Sequence, residues 1–559
     1  MKNKVKESRL LVLIITLLFV IQFLGGLGFS YLINNIDNIK NISKVDMYLS
    51  NEGTTLKRCS TKKSKLVIPE GVLLISNHAF YECTNLKTIV IPDTVKTIYG
   101  DSFYGLKKLE NVYYQGTLKD WCNIDFDNQY SNPMYYAEHF YILNEKNRWY
   151  EVTEIDILDT VTSIDDYQFY GFDNIIKVTI PNSVTNIGPS AFDKCINLEE
   201  VIFDDNSSLK EIGPGAFSEC TNLLKIVIPN GVTSIGVNAF EDCSNLKNIT
   251  ISNTVITIAE RCFRRCTNLR EVIFDDDSNL QNLGSYAFYG CTNLSKIVIP
   301  KNVLSIGSTA FGECASLEEV IFDNDSRLKE IDSGAFYGCK SLSEIVIPNS
   351  VTKIGYSAFE LCINLKSVVI SDKAKSIEYD AFKNCTSLSK IFIPRYVTNI
   401  GKSAFYNCTS LEEVIFDDNN RLKEIDSYTF YNCTNLTKIV LPISVTIICY
   451  RAFEGCVSLG NITIPDSVRE ISSLSFRNCI SLEKIIIPSS VKIIGNEAFA
   501  GCANLKTVII PETIIHMGYM AFYDIAEDSI IYCEAERYTT RWDYGWCVPN
   551  QKIEWGYVG

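Results

Sequence analysis

One unit recurs through most of the chain, and it limits the possible folds more than any other feature. Residues 232–251 read V-x-x-I-G-x-x-A-F-x-x-C-x-N-L-x-x-I-x-I, with Ile235, Gly236, Ala239, Phe240, Cys243, Leu246, Ile249 and Ile251 at the fixed places. A proline usually follows. With the phenylalanine as marker, the unit occurs at Phe80 and Phe103 and then runs without a break from Phe169 to Phe522. Within that run the steps are 23 residues, except for four of 25. Regular spacing of this kind marks an array in which each unit buries its apolar side against its neighbours. A chain of 559 residues would ordinarily divide into several globular domains, but an array lengthens without starting new cores.

Each place in the unit has a physical reading. The L-x-x-I-x-I stretch is extended and β-branched, which suits one short strand per coil. Proline at the strand end (Pro229, Pro300, Pro348, Pro394 and others) has no N–H to give and stops the ladder. Glycine after isoleucine (Gly188, Gly213, Gly236, Gly307, Gly355, Gly401) predicts a left-handed turn. The phenylalanines are expected to stack coil on coil. At a strand spacing of roughly 4.8 Å, eighteen coils would form a rod or arc on the order of 85 Å long.

The first residues stand apart from this pattern. Lys2, Lys4, Lys6 and Arg9 precede a run from Leu10 to Ile33 that is apolar apart from Gln22, Ser30 and a few glycines. That run is long enough to cross a bilayer, and its basic flank predicts that the remainder lies outside. It reads as an export segment, either a cleaved signal peptide or a retained membrane anchor.

The unit resembles the 23-residue leucine-rich repeat of BspA-like surface proteins over about residues 65–525. The stretch between Phe103 and Phe169, with Tyr113, Tyr114, Trp121, Ser131, Asn132 and Pro133, resembles a modified segment that such proteins carry. The resemblance implies a β-rich leucine-rich-repeat solenoid, with about 18 recognisable coils of 23–25 residues and a parallel strand in each. It also implies a surface-displayed adhesin or binding scaffold. The organisation then reads as signal peptide or anchor (1–36), linker or N-terminal cap (37–64), first repeats (65–106), irregular modified segment (107–163), repeat array (164–525) and C-terminal cap (526–559).

Composition narrows the chemistry. A net charge of −14 repels phosphate backbones and anionic lipid, which argues against nucleic-acid partners. His78, His139 and His516 are far apart in sequence. Fifteen of the 21 cysteines lie three residues after the marker phenylalanine, where stacking makes them a column of small buried thiols. A column does not converge as a zinc site must. Cys533 and Cys547, outside the repeat, are better placed for a disulfide. The four longer units share acidic loops at Asp204–Asn206, Asp275–Asp277, Asp323–Asp325 and Asp417–Asn419. Such loops suit calcium or, more simply, turn formation. Gly401, Lys402 and Ser403 imitate the end of a phosphate loop, but Tyr396 occupies the required upstream glycine position. Neither a catalytic motif nor a cofactor or metal site is found, and the chain is expected to be non-enzymatic.

One pattern points outward. The residue between the two isoleucines of the strand should face solvent, because strand side chains alternate. Across successive coils it is Val298, Ile321, Val346, Val369, Phe392, Ile415 and Val440, an apolar stripe edged by Lys390, Lys438, Lys484 and glutamates. Such a stripe reflects β-propensity with lateral stacking of like side chains or, as long exposed apolar patches do, a partner or self-association surface. The expected function is an extracytoplasmic scaffold that presents this face to a protein or surface-glycan ligand. The alternative is a self-associating or spacer protein, attached to the membrane through the N-terminal segment if that segment is retained.

Overall fold

The computed structural model describes residues 46–50, 52–144, 146–536 and 541–558. The export segment predicted at residues 1–36 lies outside the described residues. The described chain winds into a parallel β-solenoid of about 22 turns with almost no helix. Its core is one continuous column of side chains running the length of the molecule.

The regular coils contribute the strand foreseen from the repeat, except the coil at Ile462 and Ile464, where Asn461 makes only an isolated bridge to Lys484. Lys225–Ile228 pairs in parallel with Asn248–Ile251, aligning Ile226 with Ile249 and Ile228 with Ile251 on the inner face. Proline then closes the strand and opens a turn, as where Val232 N–H donates to the Pro229 carbonyl at 3.4 Å. A second, two-residue strand follows in each coil. Ser234–Ile235 pairs with Glu211–Ile212 on one side and Thr257–Ile258 on the other. This second ladder runs through eleven coils from Ser163–Ile164 to Asn399–Ile400. The sequence reading placed only one strand per coil.

The turn side is ordered differently from the sequence expectation. The glycines after isoleucine do not adopt left-handed backbone. They sit where coils approach closely: a Cβ on Gly236 would stand 2.6 Å from the carbonyl carbon of Gly213. The left-handed positions are the residues before alanine and before cysteine, such as Asn238 (φ 56°) and Asp242 (φ 58°). Their role is to alternate the peptide planes. Asn238, Phe240 and Asp242 donate N–H bonds to the next coil (Glu260, Cys262 and Arg264 carbonyls, 2.8–3.0 Å). Ala239, Glu241 and Cys243 donate within their own coil. Every amide of the turn thus finds an acceptor, and half of them tie one coil to the next.

Between these amides run two buried columns. From Phe169 to Phe522 each successive phenylalanine pair stacks in an offset arrangement, with centroids 5.0–5.5 Å apart. Beside them lie the column cysteines, buried and present as free thiols. Burial pushes the thiols of Cys314, Cys362, Cys408 and Cys502 up to about 12. Cys533 and Cys547, the pair considered for a disulfide, are also free thiols.

Both ladders break between the first coils and the long array. The gap in the phenylalanine stack is filled by Trp121, which ends the short helix Leu118–Trp121. Trp121 is fully buried and meets Tyr114, Phe126, Phe140 and Phe172 with centroids 4.7–5.9 Å away. Its Nε1 donates to the Gln168 carbonyl at 2.9 Å, and Gln168 Nε2 donates to the Trp121 carbonyl at 2.6 Å. Gln168 occupies the place that alanine holds in most coils, so a departure from the repeat marks where the irregular segment docks. Past Phe140 the chain doubles back, and Trp149–Glu151 pairs antiparallel with His139–Leu143.

Candidate functional site

The face built by the longer strands carries the stripe. Val298 pairs with Ile321, Val346 with Val369 and Phe392 with Ile415 in the parallel register, so like positions stand side by side. All seven residues turn away from the core. Val298, Val346, Val369, Phe392 and Val440 are 44%, 62%, 53%, 44% and 70% exposed, while Ile321 and Ile415 are half-buried. Their strand neighbours Ile297, Val320, Ile345, Val368, Ile391, Val414 and Ile439 are buried. The alternation therefore puts one aliphatic row inside and a second outside.

Charges border the row and mostly pair with each other. Glu413 accepts from Lys390 at 2.7 Å and from Lys438 at 2.5 Å, and these two ammonium groups hold its carboxyl below the usual carboxylate range. Lys296 pairs with Glu319 at 2.9 Å. Exposed pairs of this kind add little to stability, about 0–1 kcal/mol each, and remain free to exchange partners. A groove of about 700 Å³ opens on this face where Ile321, Val346 and Val369 meet Phe322 and the loop at Asp323. It exists because the longer coil raises its loop beside the stripe.

Three of the four acidic loops are closed by a side-chain turn bond. The carboxylates of Asp204, Asp323 and Asp417 each accept the N–H two residues on, at 2.9–3.0 Å. Among the described residues, no group of three or more His, Cys, Asp or Glu side chains is arranged to hold a metal ion. No helix among them is long and apolar enough to cross a membrane.

Two features escaped sequence reasoning. At three places the residue after the marker phenylalanine is an acid followed one coil later by a base: Glu241 by Arg264, Glu360 by Lys383 (3.2 Å), Glu454 by Arg477 (3.9 Å). Asp193 is the acid whose successor, Ser218, carries no charge. Burial, reinforced by Glu219, pushes its carboxyl up to about 7. The second feature is aromatic. Tyr113 and Tyr141 stack at 4.5 Å on the strand face, and Trp149 meets Tyr113 edge-on at 5.0 Å. These residues belong to the irregular segment, and no repeat signal announces them.

Comparison with known proteins agrees with this architecture. A leucine-rich-repeat protein from Bacteroides ovatus is 29% identical, covering 71% of this chain and 98% of its own, with a TM-score of 0.52. A leucine-rich cell surface protein from Faecalibacterium prausnitzii is 27% identical over 61% of this chain and 91% of its own, with a TM-score of 0.32. No match is found among curated proteins. The model of the BspA type leucine-rich repeat region matches residues 31–135, 142–270, 233–361, 317–424 and 423–540. With most of its length matched in this way, the chain belongs to the BspA-type leucine-rich-repeat family.

Proposed function

We propose that the protein is a non-enzymatic, surface-displayed binding scaffold, with the strand face from Val298 to Val440 as its docking surface for a protein ligand. The observation that carries this reading is the second aliphatic row, outside the core and continuous over seven coils, with five members at least 44% exposed. Covering such a row gains roughly 25 cal/mol for each Å² removed from water. The lysines and glutamates alongside would select among partners by charge. The export segment read at residues 1–36 supports display outside the cell.

The test is binding of residues 40–559 to immobilised cell-surface and matrix protein extracts, with a Phe392→Thr, Ile415→Thr, Val440→Thr variant alongside. Threonine keeps strand propensity and removes the apolar surface. Partner proteins retained by the parent and lost by the variant support the docking face, whereas equal retention refutes it. Light scattering addresses the self-associating alternative, which requires a mass that rises with concentration. The net charge of −14 opposes such assembly at low salt.

A further inference from the structure

The aromatic residues of the irregular segment form an island that the repeat does not produce. Strand order places His139–Leu143 between the strand carrying Tyr113 and the returning strand Trp149–Glu151. To meet Tyr113, the Trp149 indole must therefore reach over the intervening strand. It does so at 84° to the tyrosine ring and remains 39% exposed. Register puts His139 and Tyr141 on that same outer face, with Glu151 opposite Tyr141.

Beside the rings lies a set of planar polar groups. His139 Nδ1 stands 2.6 Å from Glu151 Oε1, and Asn174 Nδ2 donates to the same oxygen. These contacts fix the three side chains and leave Glu151 Oε2 and His139 Nε2 without a protein partner among the described residues. Both side chains are about one-third exposed (32% and 39%). Along the solenoid the island stops abruptly. On one side Val90 is buried against it, and on the other the outward positions are Asp156 and Thr179. It is therefore not an extension of the aliphatic stripe.

We propose that this island binds an oligosaccharide of pyranose units with equatorial hydroxyls. Such a sugar has an apolar C–H face and a rim of vicinal hydroxyls. The indole offers a broad apolar surface for the former. The held carboxylate and imidazole offer an acceptor and a nitrogen at fixed places for the latter. Because the polar groups are already locked, little ordering is required on binding. An aliphatic protein surface would leave Glu151 Oε2 and His139 Nε2 desolvated and unmatched, which disfavours it here.

The experiment uses the full chain in a non-glycosidic detergent, titrated with cellotetraose, xylotetraose, chitotetraose and mannotetraose. Binding is read by calorimetry and by tryptophan emission. The expected result is saturable binding of at least one of the three equatorial tetraoses, with mannotetraose weaker. Trp149→Ala and Glu151→Gln should each weaken it at least ten-fold by calorimetry with circular dichroism unchanged. The Phe392→Thr, Ile415→Thr, Val440→Thr variant should bind sugar as the parent does, which separates this site from the docking face. The proposal is overturned if none of the tetraoses binds, or if binding survives both single changes. It is also overturned if Trp149→Ala reduces only protein capture.

Discussion

Cys243 Sγ donates to the main-chain carbonyl of Phe217, one coil back, at 3.1 Å. The same bond recurs at every column cysteine from Cys195 to Cys502, at 3.1–3.3 Å. The carbonyl also accepts the N–H of the cysteine in its own coil, so each thiol completes a shared acceptor between two turns. Under native conditions at pH 8 these thiols should react far more slowly with a disulfide reagent than after denaturation, because burial suppresses the thiolate. Cys243→Ala should cost about 1 kcal/mol in stability from the lost bond. Peptide mapping under non-reducing conditions that found most of them disulfide-linked would contradict this account.

Trp121 couples the first coils to the long array. Trp121→Ala should cost about 3–5 kcal/mol, the usual range for emptying a large aromatic site. In a solenoid that loss falls on one junction rather than on the whole molecule. Calorimetry should then show a lower-temperature transition separating from the main one. A single transition, shifted as a whole, would show that the coils unfold as one unit despite the break in both ladders.

Asp193 lacks the cation that follows Glu241, Glu360 and Glu454. Its folded carboxyl titrates near 7, above the unfolded value, so its protonated form favours folding. That contribution is complete below about pH 4, where the unfolded group is also protonated, and is lost as pH rises through 7. Asp193→Asn should therefore stabilise the protein at pH 8, on the order of 2 kcal/mol, and have little effect near pH 4. Ser218→Lys should recover part of the gain at pH 8 by supplying the absent partner. Melting curves of the three proteins at both pH values decide the point, and a pH-independent difference would exclude titration as its source.

The docking-face variant should leave the folded protein intact. Phe392, Ile415 and Val440 project outward, so replacing all three with threonine should move the melting temperature little while weakening ligand capture at least ten-fold. A sharp fall in melting temperature would mean that these side chains hold neighbouring coils together.

Export is open to a direct assay. A reporter fused after residue 60 should be active only on the outer side of the membrane, since Lys2, Lys4, Lys6 and Arg9 hold the N-terminus inside. Activity in the cytoplasm would overturn the reading of residues 1–36.

The repeat made some features readable and concealed others. The phenylalanine stack, the thiol column and the outward direction of Val298 to Val440 were legible because each recurs in many coils and strand alternation is strict. The glycine assignment failed for a physical reason. A residue without Cβ serves either unusual backbone or close approach, and sequence alone does not say which. The left-handed places are filled by residues as different as Asn238, Thr309 and Leu361, whose strain is offset by hydrogen bonds between coils. The short second ladder was missed because two residues around an isoleucine carry no alternation to read. The Trp149 island and the lone Asp193 occur once each, so only three-dimensional neighbours reveal them.

At the far end of the phenylalanine pile, Phe522 meets not another parallel ring but Trp546, set crosswise at 86° with centroids 6.1 Å apart. A pile of flat rings has no inherent length and can accept one more at its open end, whether from the same chain or from a neighbouring molecule. A ring turned on edge offers no matching surface. The last strand, Lys552–Trp555, adds the charges of Lys552 and Glu554 to that terminus, where an incoming strand would have to align. Trp546 thus closes the parallel phenylalanine column with a crosswise ring rather than a further stacking face.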